Sequence, residues 1–165
     1  MVMSVVWSPD STRLASGGGS GGRGEVFLRD ARSGQRLHRF ADAQGRVLAV
    51  MWSPRGELLV SGGSDGRLCW WDVQSGECVR MREAHQGAVQ SLRISPDGHQ
   101  LANCGDDGAV KVWDLESGEL LRTMRRDRPY ERLNITGVKG LTEAEIATLR
   151  ALGAIEEPAI KSITT

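Results

Sequence analysis

One phrase occurs three times in the chain, and its spacing restricts the fold more than any other feature. AVKVWDLESGE (Ala109–Glu119) is preceded by RLCWWDVQSGE (Arg67–Glu77) and, in altered form, by EVFLRDARSGQ (Glu25–Gln35). Asp30, Asp72 and Asp114 are 42 residues apart. Up to each aspartate, apolar and polar residues alternate, which marks a strand; the Ser-Gly step after it marks a tight turn. A period of this size signals a repeat architecture, in which each unit must bury its faces against its neighbours.

Aligning on the phrase gives three units, Val2–Phe40, Ala41–Glu83 and Ala84–Arg125. Each holds four alternating runs. In the third unit they are Ala88–Ile94, Gln100–Asn103, Ala109–Asp114 and Leu120–Met124. Turn chemistry separates them: Ser95-Pro96-Asp97-Gly98, Gly105-Asp106-Asp107-Gly108 and Ser117-Gly118. Pro presets φ at the second turn position and Gly accepts positive φ at the last, so these read as hairpin connections. Four antiparallel strands in about 40–45 residues is the unit of a β-propeller blade. The predicted class is all-β.

The units resemble WD-repeat blades. In the third, Ala84-His85 stands where that family has Gly-His, followed by SPDG, DDG and Trp113-Asp114. The resemblance covers Val2–Arg125 and implies three four-stranded antiparallel blades of an incomplete WD-repeat β-propeller. It also implies a structural hydrogen-bond chain through Asp107, His85 and Trp113, with Asn103 in place of the usual Ser. In the second unit Asp65, Ser61 and Trp71 match, but Ala43 stands at the His position. In the first, Ser16 matches, Arg29 replaces Trp and the turn Asp is missing. Only the third unit can carry the complete chain of bonds.

A blade has two apolar faces and cannot cover both alone. Trp7, Trp52 and Leu92 are placed at equivalent points of the innermost strands, and Trp70 is aligned with Val112 and Phe27 on the third. All are read as blade-to-blade packing. Propellers close with about four to eight blades, so three leave an apolar face open at each end, beyond what a monomer normally exposes. The favoured expectation is a C-terminal piece of a larger propeller; pairing with further blades or self-association is the alternative.

Residues 126–165 leave the repeat and form a C-terminal tail with one helix near 143–152. Thr142 with Glu145 is a capping box, and Leu141 with Ile146 a hydrophobic staple. Ile146, Leu149 and Leu152 share a face, and Gly153 ends the helix. Its apolar stripe is expected to dock on the open side of the third blade. The stretch Arg128–Glu157 resembles the C-terminal tails of bacterial WD-repeat proteins, many of which carry a signalling NTPase module upstream.

Other features argue against chemistry. Lys+Arg and Asp+Glu are both 21, without the basic excess of a nucleic-acid binder. The cysteines Cys69, Cys78 and Cys104 show no CxxC spacing; two fall in predicted strands and one in a turn, and all are expected reduced. No apolar run approaches a membrane span, and no signal pattern opens the chain. Gly17–Gly22 contains a GxGxxG match, but a phosphate loop needs a helix after it, and here a strand follows. It is read as a lengthened hairpin loop. Neither His85, His38 and His99 nor Asp106-Asp107-Gly108 has the partners of a metal site, so no metal and no cofactor are expected. His38 and His99 are placed in solvent. Arg122, Arg125, Arg126, Arg128 and Arg132 form a local charge excess, read as a solvated edge.

The expected function is a non-catalytic scaffold that binds other proteins, cytoplasmic, with neither nucleic acid nor membrane as partner. By family analogy its binding loops are Asp42, Gln44, Arg46, Ser64, Gln86 and Asp106. The alternatives are a truncated propeller fragment without independent activity and, ranked last, an enzyme with a channel site.

Overall fold

The computed structural model describes residues 1–40, 45–125 and 133–155. Met1–Arg125 and Arg126–Thr165 are two separate units. The first contains twelve strands in chain order: β1 Val2–Trp7, β2 Arg13–Ser20, β3 Arg23–Asp30, β4 Arg36–Phe40, β5 Val47–Trp52, β6 Leu58–Gly63, β7 Arg67–Asp72, β8 Cys78–Glu83, β9 Val89–Ile94, β10 Gln100–Gly105, β11 Ala109–Asp114 and β12 Leu120–Arg125. They form three four-stranded antiparallel meanders, β1–β4, β5–β8 and β9–β12. These are the three predicted blades.

Local side-chain bonds explain the repeat. Asp30, Asp72 and Asp114 each cap the turn that follows: their Oδ1 atoms accept from the backbone N–H of Ser33, Ser75 and Ser117, all at 2.7 Å. An aspartate that satisfies turn backbone in this way needs no other partner. At the opposite turns Ser8, Ser53 and Ser95 accept from Arg13, Leu58 and Gln100 N–H at 2.9, 3.0 and 3.0 Å. The Gly17–Gly22 stretch is not a long loop. β2 and β3 extend to eight residues each, and only Gly21 and Gly22 turn, with φ of 60° and 80°. Positive φ at both positions is the tight hairpin that glycine permits.

Stacking follows from period 2. Alternate residues of β7 point to opposite neighbours: Cys69 and Trp71 pack with Ala15, Val26, Leu28 and Phe40 of the first blade. Leu68 and Trp70 pack with Val89, Leu92, Leu101 and Trp113 of the third. The inner strands β1, β5 and β9 lie side by side. Gly17 and Gly62 allow the close approach, since a Cβ at Gly62 would stand 2.6 Å from Val89 Cγ1.

The register corrects two alignments made from sequence. Trp7, Trp52 and Ile94 are the equivalent inner-strand residues, facing Leu14, Leu59 and Leu101; Leu92 faces Asn103 and matches Val50. Trp70 matches Leu28 and Val112, while Phe27 matches Cys69. A two-residue shift preserves the face, so Leu92 still packs inward. The one-residue shift at Phe27 puts it on the opposite face. Trp7 is 56% exposed, since no other blade of residues 1–125 packs on that side. All three cysteines lie in strands, Cys104 included, and are free thiols. His38 is half-buried rather than solvated, with its ring 4.8 Å from Phe40.

In the second unit, α1 spans Glu143–Ala151. The capping box is formed: Thr142 Oγ1 accepts from Glu145 N–H, and Glu145 accepts from Thr142 N–H at 2.8 Å. Leu152 is the C-cap and no helix residue is fully buried. A parallel bridge between Asn134 and Ile155 closes the segment around Ile135 and Ala154.

Candidate functional site

Gly45-Arg46 and the β6–β7 loop of the second blade lie at one end of the sheet, as do the β8–β9 and β10–β11 loops of the third. Adjacent blades are stitched there by backbone bonds. Gly45 N–H donates to Gly22 O at 3.1 Å, and Ala84 and His85 N–H both donate to Gly66 O at 2.9 and 3.0 Å. These described segments therefore form one rim.

Arg46 and Ser64 are joined through backbone. Arg46 N–H donates to Ser64 Oγ at 2.9 Å, and Ser64 N–H to Arg46 O at 2.8 Å. The Arg46 side chain is exposed. In the third blade Asp106 ties the two loops: Oδ2 accepts from Ala88 N–H at 3.1 Å and Oδ1 from Gln90 Nε2 at 2.7 Å. Gln86 N–H reaches Asp107 Oδ2 at 3.3 Å. The structure thus brings Arg46 with Ser64, and Gln86 with Asp106 and Asp107. Asp42 and Gln44, together with Ala43, lie outside the described residues, as do Arg126, Arg128 and Arg132. Gln90 belongs with this rim and was not singled out from sequence, because a strand glutamine carries no turn signal.

Beneath the rim of the third blade lies the expected polar chain, in two pieces. His85 Nδ1 is 2.7 Å from Asp107 Oδ1. Trp113 Nε1 donates to Asn103 Oδ1 at 3.0 Å. No hydrogen bond joins His85 Nε2 to Asn103 Nδ2, so the continuous chain expected from sequence is interrupted at the asparagine. Burial works to raise the Asp107 pKa, but bonds from His85, Ala109 and Gln86 outweigh it and hold the carboxyl below its ordinary range. The ionised carboxylate makes Nδ1 the protonated nitrogen of His85. Arg125 Nη2 adds a charge 3.9 Å from Asp107 Oδ2. The second blade keeps only the lower piece, Trp71 Nε1 donating to Ser61 Oγ at 2.8 Å. Asp65 there is exposed and accepts from Arg67 N–H at 3.2 Å. In the first blade Arg29 occupies the tryptophan position and donates to Gly34 O at 3.3 Å.

Among the described residues no three His, Cys, Asp or Glu side chains gather into a metal-binding group. No helix among them is long and apolar enough to cross a membrane.

Four-stranded meanders stacked through alternate faces, with Trp-Asp closing the third strand of the second and third, define a set of β-propeller blades. Residues 1–22, 34–72 and 76–114 match the model of the WD domain, G-beta repeat family, and the chain belongs to that family. It is similar to WD repeat-containing protein 1 of Xenopus tropicalis, 33% identical over 78 residues, which are 46% of this chain and 12% of that protein. Among solved structures it is similar to the RRP9 WD40 repeats, with TM-score 0.69 and 23% identity over 77% of this chain and 39% of that one. A structure of U3-55K gives TM-score 0.68 and 23% identity, over 77% and 40% of the two chains. The chain spans about two fifths of these propellers and far less of the curated relative.

Proposed function

We propose that the chain is a non-catalytic scaffold whose loop rim, Arg46, Ser64, Gln86 and Asp106 together with the sequence neighbours Asp42 and Gln44, binds another protein. The observation that carries this reading is the division of labour in the rim. Its backbone is clamped between blades and by the Asp106 carboxylate, while the charged side chains of Arg46 and Asp65 are exposed. A pre-ordered, mixed-charge surface favours specific docking over general adhesion. The even balance of 21 basic and 21 acidic residues supports a protein rather than a nucleic acid as partner. The His85–Asp107 pair is the nearest thing to an acid–base couple at the rim. Its buried position supports a role in holding loops rather than in catalysis.

The test is affinity capture from the parent organism with wild type and with R46E. The Arg46 bonds above are made by backbone, so the charge can be reversed without dissolving the rim. Partners retained by wild type and lost by R46E support the reading; an unchanged set refutes this face.

A finer reading takes the chain as the cytoplasmic C-terminal sensor part of a bacterial signalling protein. The likeness of Arg128–Glu157 to the tails of such proteins supports it. Its test is the coding DNA before Met1. In-frame blades or a GxxxxGK[ST] phosphate loop support it, and a ribosome-binding site with neither rejects it.

A further inference from the structure

The three blades meet by one rule. The face toward the next blade packs on the inner-strand, tryptophan-bearing face of its successor. At the first junction Ala15, Val26, Leu28 and Phe40 cover Val50, Trp52, Leu59, Cys69 and Trp71. Within residues 1–125 two such faces have no neighbouring blade, one of each kind. On the first blade, Val5, Trp7, Leu14, Phe27 and Arg29 hold the register positions of the covered set. Val5 is 63% exposed and Trp7 56%. On the third blade, Ala102, Val110, Val112 and Met124 hold the positions of Ala15, Val26, Leu28 and Phe40. Val110 and Met124 are exposed.

The uncovered pair therefore repeats a junction already built in this chain, with Ala-Val-Val-Met where the covering face has Ala-Val-Leu-Phe. We propose that two copies pair head to tail, the third blade of each covering the first blade of the other. Two sets of three sheets make a closed ring of six blades, within the four to eight that close; a third copy would exceed it. This symmetry leaves no open face. One position departs from the template. Cys104 stands where Gly17 and Gly62 allow close approach to the next blade, so its thiol presses on the inner strand of the second copy. The occupant is thus a second copy of the 165-residue chain. In a longer chain the same faces would meet that chain's own blades.

The experiment is sedimentation and native mass spectrometry of the full chain at micromolar concentration. The expected mass is twice 17.9 kDa; a monomer, or an open series of larger species, overturns the proposal. W7D and V110D each remove both junctions of a symmetric pair, so each alone is expected to be monomeric with unchanged circular dichroism. Mixed, they restore one intact junction and recover dimer with weakened affinity. If V110D alone stays dimeric, the contact is face to face through Trp7 and the head-to-tail arrangement is wrong. C104G is expected to tighten the dimer several-fold, an effect that a merely structural thiol would not produce; no change or weakening counts against the junction.

Discussion

Replacing Trp70 separates packing from hydrogen bonding at the junction between the second and third blades. The side chain is fully buried, and its indole donates across the junction to Leu115 O at 3.0 Å. A buried tryptophan removes about 150–250 Å² from water, roughly 4–6 kcal/mol at about 25 cal/mol/Å². W70A is therefore expected to cost about 3–5 kcal/mol, the range seen for large-to-small core changes. W70F keeps most of the volume and loses the bond, leaving a buried carbonyl without its donor, for about 1–3 kcal/mol. A domain is typically stable by only about 5–15 kcal/mol, so W70A should fold with a narrow margin. Urea unfolding followed by circular dichroism reads both. The packing account is refuted if W70A costs less than about 1 kcal/mol, well below the range for a buried tryptophan, or if W70F costs as much as W70A.

Other outcomes follow from the same geometry. G62A drives a methyl into Val89, 2.6 Å away, and should destabilise by about 1–3 kcal/mol through overpacking; an unchanged urea midpoint would contradict the close approach. Burial, reinforced by Cys78 and Asp65, pushes the Cys69 thiol up to about 12. In the native protein at pH 8 a soluble alkylating reagent should therefore label exposed Cys78 and spare Cys69, as peptide mass mapping will show. Hydrogen bonds from Ser8 and Thr12 lower Asp10 to about 2, and those from Ser33, Ser75 and Ser117 hold Asp30, Asp72 and Asp114 below 3.8. A carboxylate depressed on folding stabilises above its unfolded pKa, and that contribution is lost as pH falls through the folded value. Urea midpoints should hold from neutrality to about pH 5 and drop below about pH 4, less steeply in D114N; midpoints that rise in acid would contradict the capped turns.

The blades were legible because short-range chemistry dictates them. Asp-x-x-Ser-Gly caps its own turn whatever surrounds it, and period 2 assigns residues such as Trp70 and Trp71 to opposite faces. Register was less legible. Without the pairing of strands, Leu92 and Phe27 were set against the wrong counterparts, since a neighbouring apolar residue satisfies the same pattern. The break between His85 and Asn103 was illegible, because residue type gives an amide's capacity but not whether the fold brings it within bonding reach of the ring. The Gly17–Gly22 run read as loop because glycine signals turns. Yet Gly17 is in a strand, admitted by the absence of a side chain against the next blade. The rim residues Arg46, Ser64, Gln86 and Asp106 were named by family analogy, while the bonds that order them, through Gln90 and Gly66, came only from the fold.

The stacking of sheets through alternate faces is tested most directly by the coupling between Phe40 and Trp71, whose rings lie 5.9 Å apart across the first junction. In a double-mutant cycle with F40L and W71L, measured by urea unfolding, the pair should couple by about 0.5–1.5 kcal/mol. Losses that simply add would mean that the two blades do not meet there.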